Sequence, residues 1–258
     1  GSRLRRSLEE LGVTTEGLVV QPGYRTPTKT RILGGERSSV RQQVARYDIE
    51  SQATIGDEER RHFRRCLEEW KGRASVAVLS DYGYGAVLPE LAGELRAALG
   101  EPRTVLCDSR YRLKDFAGMD GATPNQEEVE ALLGEPLDEP GRVTDGGQRL
   151  RDRLEADFLL MTRGSQGMAL FDGDAVTHIP VHGTGQVADV TGAGDTVIGT
   201  FALARAAGAT ALEAAFIANY AAGVVVHKPG TAVPTLEELR RAVETDPAPL
   251  EEARTEPY

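Results

Sequence analysis

The chain has 258 residues, 40% of them hydrophobic, with 40 acidic against 30 basic residues and a formal net charge of −10. That length and apolar content suit one large α/β domain, or one domain with a small appendage. The acidic balance argues against a nucleic-acid or anionic-membrane binder, because no excess of cations is on hand to displace counterions, whereas a small phosphorylated metabolite needs only a local cluster of donors. The two cysteines, Cys66 and Cys107, lack metal-like spacing and read as buried thiols in a reducing, cytoplasmic setting. No apolar run in the first thirty residues is long enough for a signal peptide, and none elsewhere approaches a membrane span.

In chain order, residues 3–11 (RLRRSLEEL) have helical periodicity and stop at Gly12. Residues 18–33 read as β: LVV, a turn at QPGYRTP, then TKTRIL. After the polar GGERSSV, the segment RQQVARYDIE partly alternates apolar and polar residues. Lys29, Arg31, Arg41 and Arg46 leave this hairpin half-polar, so it reads as a flap rather than as core. From residue 57 the pattern changes to amphipathic helix (57–70), buried strand (75–81), helix (87–99), strand (104–108) and short helix (125–133). There follow a mostly helical stretch (144–156), a strand (158–164) and two strands around a Gly-Asp turn (167–181). Two Ala-rich helices (193–207 and 210–226) and a last helix (235–244) complete the series. Strands alternating with helices at this spacing mean βαβ units and a mostly parallel sheet with helices on its faces. The acidic, proline-rich end reads as a poorly ordered tail.

The chemistry concentrates in three short stretches, two of them glycine-bearing. In DVTGAGD (189–195), Gly192 and Gly194 allow a tight turn, and the helix beginning near Ala193 points its free N–H groups back at that turn. Those donors and the helix dipole make an anion site. A carboxylate there repels an anion, so Asp195 needs a reason; a general base beside a phosphate cradle is one, and simple helix capping is another. TPNQEE (123–128) opens a helix with Asn125 and Glu128 one turn apart on one face. An amide and a carboxylate so placed suit a hydrated Mg²⁺, and a helix cap beside a solvated acid explains them equally well. TRGSQG (162–167) joins two strands through glycines where backbone can approach a ligand, as a plain hairpin also would. A dinucleotide oxidoreductase is a poor reading, since no G-x-G-x-x-G follows an N-terminal strand and no acid stands at the required distance.

Together these stretches resemble the ribokinase-like (PfkB) family of sugar kinases. DVTGAGD resembles the family's D-x-T-G-A-G-D signature, TPNQEE its N-x-x-E motif and TRGSQG its T-x-G-x-x-G, while ANYAAGVVVHKPGTAVP (218–234) resembles the helix and loop that close over adenine. The order along the chain is the family's order. The resemblance implies a three-layer αβα sandwich with a mostly parallel central sheet and a small β lid. It implies ATP and Mg²⁺ as cofactors, with K⁺ as a further cation. Asp195 is then the catalytic base, and the N–H groups of Gly192, Ala193 and Gly194 form the anion hole. Asn125 and Glu128 organise Mg²⁺ and the phosphates through water. Thr162, Gly164 and Gly167 line the ATP phosphates and ribose, and Asn219 lies near adenine. Asp189 holds the monovalent cation with carbonyls from Thr191 and Gly230, so the two acids around the turn have different tasks.

A narrower likeness joins GLVVQPGYRTPTKTRIL, QQVARYDIE and LSDYGYG (79–85) to the heptose-7-phosphate kinases, the kinase half of the bifunctional RfaE/HldE proteins. These phosphorylate C1 of D-glycero-D-manno-heptose 7-phosphate. A lid bearing Lys29, Arg31 and Arg46 fits a substrate that already carries a phosphate, and solvated strand faces are the plainer account of each cation. Two positions depart from the group's pattern: Tyr84 stands where Lys is expected, and DSR (108–110) where DPK is expected. The implied organisation is a remnant N-terminal helix (1–17), a β lid (18–50), a nucleotide-binding core (51–245) and the tail (246–258). The family normally begins with several strands and a Gly-Gly-Ala-x-N sugar-binding segment, and the nucleotidyltransferase half is absent. A chain without that first segment is expected to bind MgATP weakly, to transfer phosphate to no sugar, and to cover open strand edges by self-association, as in a homodimer. Another sugar or sugar-phosphate kinase, or an inactive nucleotide-binding module, are the rival readings. No nucleic-acid or membrane partner is expected.

Overall fold

The computed structural model describes residues 1–258 apart from 35–41, 101–102, 117 and 184–186. Arg41, one of the cations read onto the hairpin, lies outside the described residues. The chain divides into two compact units, one of residues 1–69 with 84–88, the other of residues 70–83 with 89–258.

The first unit carries α1 (Ser2–Glu10), β1 (Thr28–Gly34), β2 (Gln42–Ile49) and α2 (Asp57–Trp70). β1 and β2 pair antiparallel, with Lys29 opposite Asp48 and Arg31 opposite Arg46. The strand expected at 18–20 does not form. Pro22 and Pro27 remove backbone donors on either side of the turn, and the Gln21 side chain instead bonds both the carbonyl (2.6 Å) and the N–H (3.3 Å) of Thr54. α2 matches its expected span because three acids, Asp57, Glu58 and Glu59, complement its N-terminus, where Glu59 also accepts from Gly56 N at 2.9 Å. It groups with the lid hairpin, not with the larger unit, so the division falls some twenty residues later than the expected 50/51 boundary.

In the second unit the sheet strands are β3 (Val76–Asp81), β4 (Thr104–Ser109), β5 (Gly121–Ala122), β6 (Phe158–Thr162), β7 (Met168–Asp172), β8 (Ala175–Ile179) and β9 (Arg254–Pro257). They lie side by side in that order, parallel from β3 to β6 and antiparallel from β6 to β9. Period-two alternation splits β4 and β6 between two buried faces. Leu106, Phe158 and Leu160 turn to one side and pack on Val197, Ile198 and Phe201 of α6 (Ala193–Ala206) and on Ala214, Ala215 and Ala218 of α7 (Ala211–Val226). The alanines explain how two helices sit so close to the sheet. The opposite face carries Val105, Leu159, Met161 and Phe171, all fully buried. Here α5 (Pro140–Leu154) approaches so tightly that a Cβ on Gly147 would stand 2.0 Å from the Phe171 ring. With α3 (Leu91–Ala98) and α4 (Gln126–Leu133) this layer completes an αβα sandwich.

The end of the chain differs from expectation. Beyond α8 (Leu236–Thr245), residues 248–251 form a short helix and 254–257 the strand β9, paired antiparallel with β8. Composition alone made this stretch look solvated, and every β9 residue is indeed exposed. Its order comes from the open edge of β8, which supplies the missing hydrogen bonds.

Candidate active site

Parallel strands aim their carboxyl ends at one rim of a sheet, and in open α/β sheets that rim is where ligands bind. β3 ends at Asp81, β4 at Ser109 and β6 at Thr162, while Asn125 follows β5 and caps α4. The N-terminus of α6 meets the same rim, since Asp195, its third residue, accepts a hydrogen bond from the Tyr82 hydroxyl at 2.5 Å just beyond β3.

The turn before α6 has the backbone the sequence suggests. Gly192 is the N-cap with φ +82°, a conformation that penalises any side chain, and its carbonyl already accepts from Thr196 N at 2.9 Å. One part of the expected anion hole is corrected: Ala193 N–H is spent on Val190 O at 3.2 Å, because the tight turn brings that carbonyl round. The N–H groups of Gly192 and Gly194 have no partner among the described residues. Asp195 is exposed and does not cap the helix, whose N-cap accepts with no side chain.

Asn125 and Glu128 form a reciprocal capping box: Asn125 Oδ1 accepts from Glu128 N at 2.8 Å, and Glu128 Oε2 from Asn125 N at 3.0 Å. Glu128 is no solvated acid. Burial pushes its carboxyl above the ordinary range, against the donors at Asn125 and the Arg110 guanidinium 3.9 Å from Oε1. Capping and function are therefore compatible, since one carboxylate oxygen serves the helix and the other faces Arg110. Thr162 bridges to Asn125 in parallel fashion, with Thr162 N donating to Pro124 O at 3.0 Å. Gly164 begins a single helical turn, and Gly167 closes it at φ +79°. A Cβ on Gly167 would stand 2.0 Å from Ile179 O, so nothing but glycine fits. Arg163, which the sequence reading passed over, ties the two motifs: it donates to Gln126 Oε1 at 3.1 Å and to Gln166 Oε1 at 2.8 Å.

The structure brings Asp189, Thr191 and Gly230 together, but through N–H groups. Asp189 Oδ1 accepts from Thr191 N at 2.9 Å and Oδ2 from Gly230 N at 3.2 Å, which pins the loop after α7 to the glycine turn. Asn219 is 2% exposed and its amide donates to Pro180 O at 2.8 Å, so it holds the chain leaving β8. Among the described residues no three His, Cys, Asp or Glu side chains are grouped as a metal site. A Mg²⁺ beside Glu128 and Asn125 would therefore need water and phosphate oxygens for most of its ligands, as its preference for retained waters allows.

The sequence reading missed a second set of residues on the same rim. Asp108, opposite Ser80 in the β3–β4 register, has its carboxyl pushed up to about 7 by burial, then by the charges of Glu128 and Asp195, against relief from Arg110. Asp81 is 3% exposed and gathers Gly83 N (3.1 Å), Ser109 Oγ (2.8 Å) and the Nη2 and Nε donors of the Arg112 guanidinium (2.8 and 3.2 Å). Burial pushes its carboxyl up, and those donors outweigh it and hold it below the usual range. Only the acids of DSR and SDY gave a signal, and neither has a spacing that announces the contact.

Within the first unit, direct pairing sets Lys29, Arg31, Arg46 and Asp48 on one face of the hairpin, three cations against one carboxylate. Arg46 Nε lies 3.1 Å from Asp48 Oδ1. Tyr84, at the position where Lys was expected, donates to Glu50 Oε1 at 2.8 Å. Among the described residues no helix is long and apolar enough to cross a membrane.

The chain is 40% identical over 249 residues to the bifunctional protein HldE of Mesorhizobium japonicum, covering 94% of this chain and 48% of that protein. With HldE of Paramagnetospirillum magneticum the identity is 37%, over 100% of this chain and 52% of the relative. The chain thus spans about half the length of the curated relatives it matches. Ribokinase of Thermotoga maritima superposes with a TM-score of 0.66 at 20% identity, over 95% of this chain and 77% of that one. Phosphofructokinase-2 of Escherichia coli, solved in complex with potassium, gives 0.65 at 20% identity, over 78% and 66%. These likenesses establish the ribokinase-like fold. The pfkB family carbohydrate kinase pattern matches residues 1–238, and the chain belongs to that family.

Proposed function

We propose that the chain carries the phosphoryl-transfer site of an ATP-dependent sugar kinase, acting on the C1 hydroxyl of D-glycero-D-manno-heptose 7-phosphate. The observation that carries this reading is the pairing of an exposed Asp195 with the two unpartnered N–H groups of the Gly192–Gly194 turn. Asp195 takes the proton of the acceptor hydroxyl as the hydroxyl oxygen attacks the terminal phosphorus of ATP, the bond from that phosphorus to the bridging oxygen breaks and ADP leaves, and the N–H groups meet the charge that develops on the phosphoryl oxygens. Mg²⁺ supplies neutralisation of phosphate charge, and Asn125 and Glu128 hold it through water. Thr162, Gly164 and Gly167 border the nucleotide phosphates, with the backbone near Pro180 that Asn219 fixes bordering the base. The turn formed by Asp189, Thr191 and Gly230 takes K⁺, a reading supported by the potassium complex of the E. coli neighbour.

The choice of sugar rests on the identity with HldE and on the three-cation face of Lys29, Arg31 and Arg46, which suits a phosphate ester. A coupled assay on the 258-residue chain and on the longest product of its gene, with heptose 7-phosphate, free heptose, fructose 6-phosphate and ribose, tests it. Turnover of heptose 7-phosphate above the other acceptors is expected in at least one of the two. Preference for an unphosphorylated sugar overturns the choice of substrate. MgADP binding without turnover in either product leaves a nucleotide-binding module.

A further inference from the structure

We propose that Tyr82 is a positioning residue for the base: its hydroxyl holds Asp195 Oδ1, so that the acceptor hydroxyl meets Oδ2. This rests on the kinase reading and adds to it a residue outside the glycine motifs. Tyr82 Oη donates to Asp195 Oδ1 at 2.5 Å, across 113 residues of sequence. A carboxylate on an exposed first turn is otherwise free to rotate, and Asp108 stands close enough to add repulsion. One fixed donor removes that freedom and leaves a single oxygen to act.

The tyrosine is itself held in place from behind. Asp81 is its neighbour in the chain and is buried in a network whose every donor is a fixed group: Gly83 N, Ser109 Oγ and the Arg112 guanidinium. Arg112 N in turn donates to Ser109 Oγ at 3.1 Å, and Arg110 N to Asp81 O at 3.1 Å. The turn from Asp81 to Gly83 is thereby fastened to the end of β4, with Gly83 at φ +76° and its Cβ position 3.0 Å from the Tyr111 ring. A rigid turn is what a side chain needs if it is to place another by a few tenths of an ångström. Burial and the bond to Asp195 both push the Tyr82 hydroxyl above the ordinary phenol range, so it remains a donor throughout the pH range of an assay.

Tyr82→Phe keeps the ring and removes the donor. In whichever product of the gene turns over, kcat should fall about 10- to 100-fold, with KM for ATP and MgADP affinity by calorimetry changed less than about two-fold. In an Asp195→Asn background the same substitution should alter the residual rate by less than about two-fold, because the two side chains act as one unit. A structural role would instead lower nucleotide affinity and Tm together and add in the double variant. Unchanged kcat in Tyr82→Phe, or additive losses, overturns the proposal and leaves the kinase reading intact. Absence of turnover in the unsubstituted protein overturns both.

Discussion

A carboxylate beside an anion site is unfavourable unless it reacts, and Asp195 neither caps α6 nor forms an ion pair among the described residues. Asp195→Asn retains shape and removes the proposed base, so turnover should fall by about 10²–10⁴ while calorimetric affinity for MgADP stays near that of the parent. Near-parental kcat in that variant would refute the role. Asp108 invites a prediction of a different kind. Its carboxyl is raised to about 7 by burial first and by the neighbouring acids second. An unfolded aspartate titrates near about 3.9. The folded protein therefore binds the proton more tightly between those values, and Asp108 costs stability increasingly as pH rises through that window, in full above about 7. Asp108→Asn should raise Tm by about 3–8 °C at about pH 8.5 and leave it unchanged at about pH 4. An equal change at both pH values would show that the carboxyl is not held protonated.

Among the elements, those with their own punctuation were readable from sequence and those made by register were not. The span of α6 followed from its glycines, and α4 from a capping pair that the structure confirms atom by atom. Gly167 shows the stronger form of this: Gly167→Ala brings a Cβ to 2.0 Å from Ile179 O at φ +79°, so the turn between β6 and β7 has to move. Weakening of MgADP binding by at least about ten-fold is expected, because the loop is close-packed backbone with no flexible side chain to yield. The same change at Gly164, which has open space around its Cβ position though φ is +54°, should cost less. By contrast Tyr82, Asp108 and Asp81 meet the site only because β3 pairs with β4 in one register and α6 returns to the same rim. Nothing in a tyrosine and two aspartates 84 to 111 residues before Gly192 marks them beforehand. The cationic face of the lid was half readable: alternation put Lys29 and Arg31 on one side, and only the pairing with β2 brought Arg46 and Asp48 there too.

At the scale of the molecule, the end of the chain completes the seven-stranded sheet, and its details follow from the ladder. Tyr258 N donates to Asp174 O at 3.3 Å, so the antiparallel alternation turns the N–H of Glu256 toward β8 and the nitrogen of Pro257 away from it. That is why a proline is admissible in β9. The strand is further held by Arg151, whose guanidinium lies 5.3 Å from the Tyr258 ring centre and bonds its hydroxyl at 2.5 Å. Acidic, proline-rich composition speaks for solvation and says nothing of an edge that needs covering. The alternation makes a positional prediction. Glu256→Pro removes an inward donor and should lower Tm by about 3–8 °C, whereas Thr255→Pro, whose nitrogen faces outward, should cost clearly less. Glu256→Ala serves as the control, since the Glu256 side chain also accepts from Thr144 at 3.3 Å and faces His178 at 3.5 Å. Equal losses from the two prolines, measured by thermal unfolding, would mean that β9 does not pair with β8 in this register and that the sheet ends at β8.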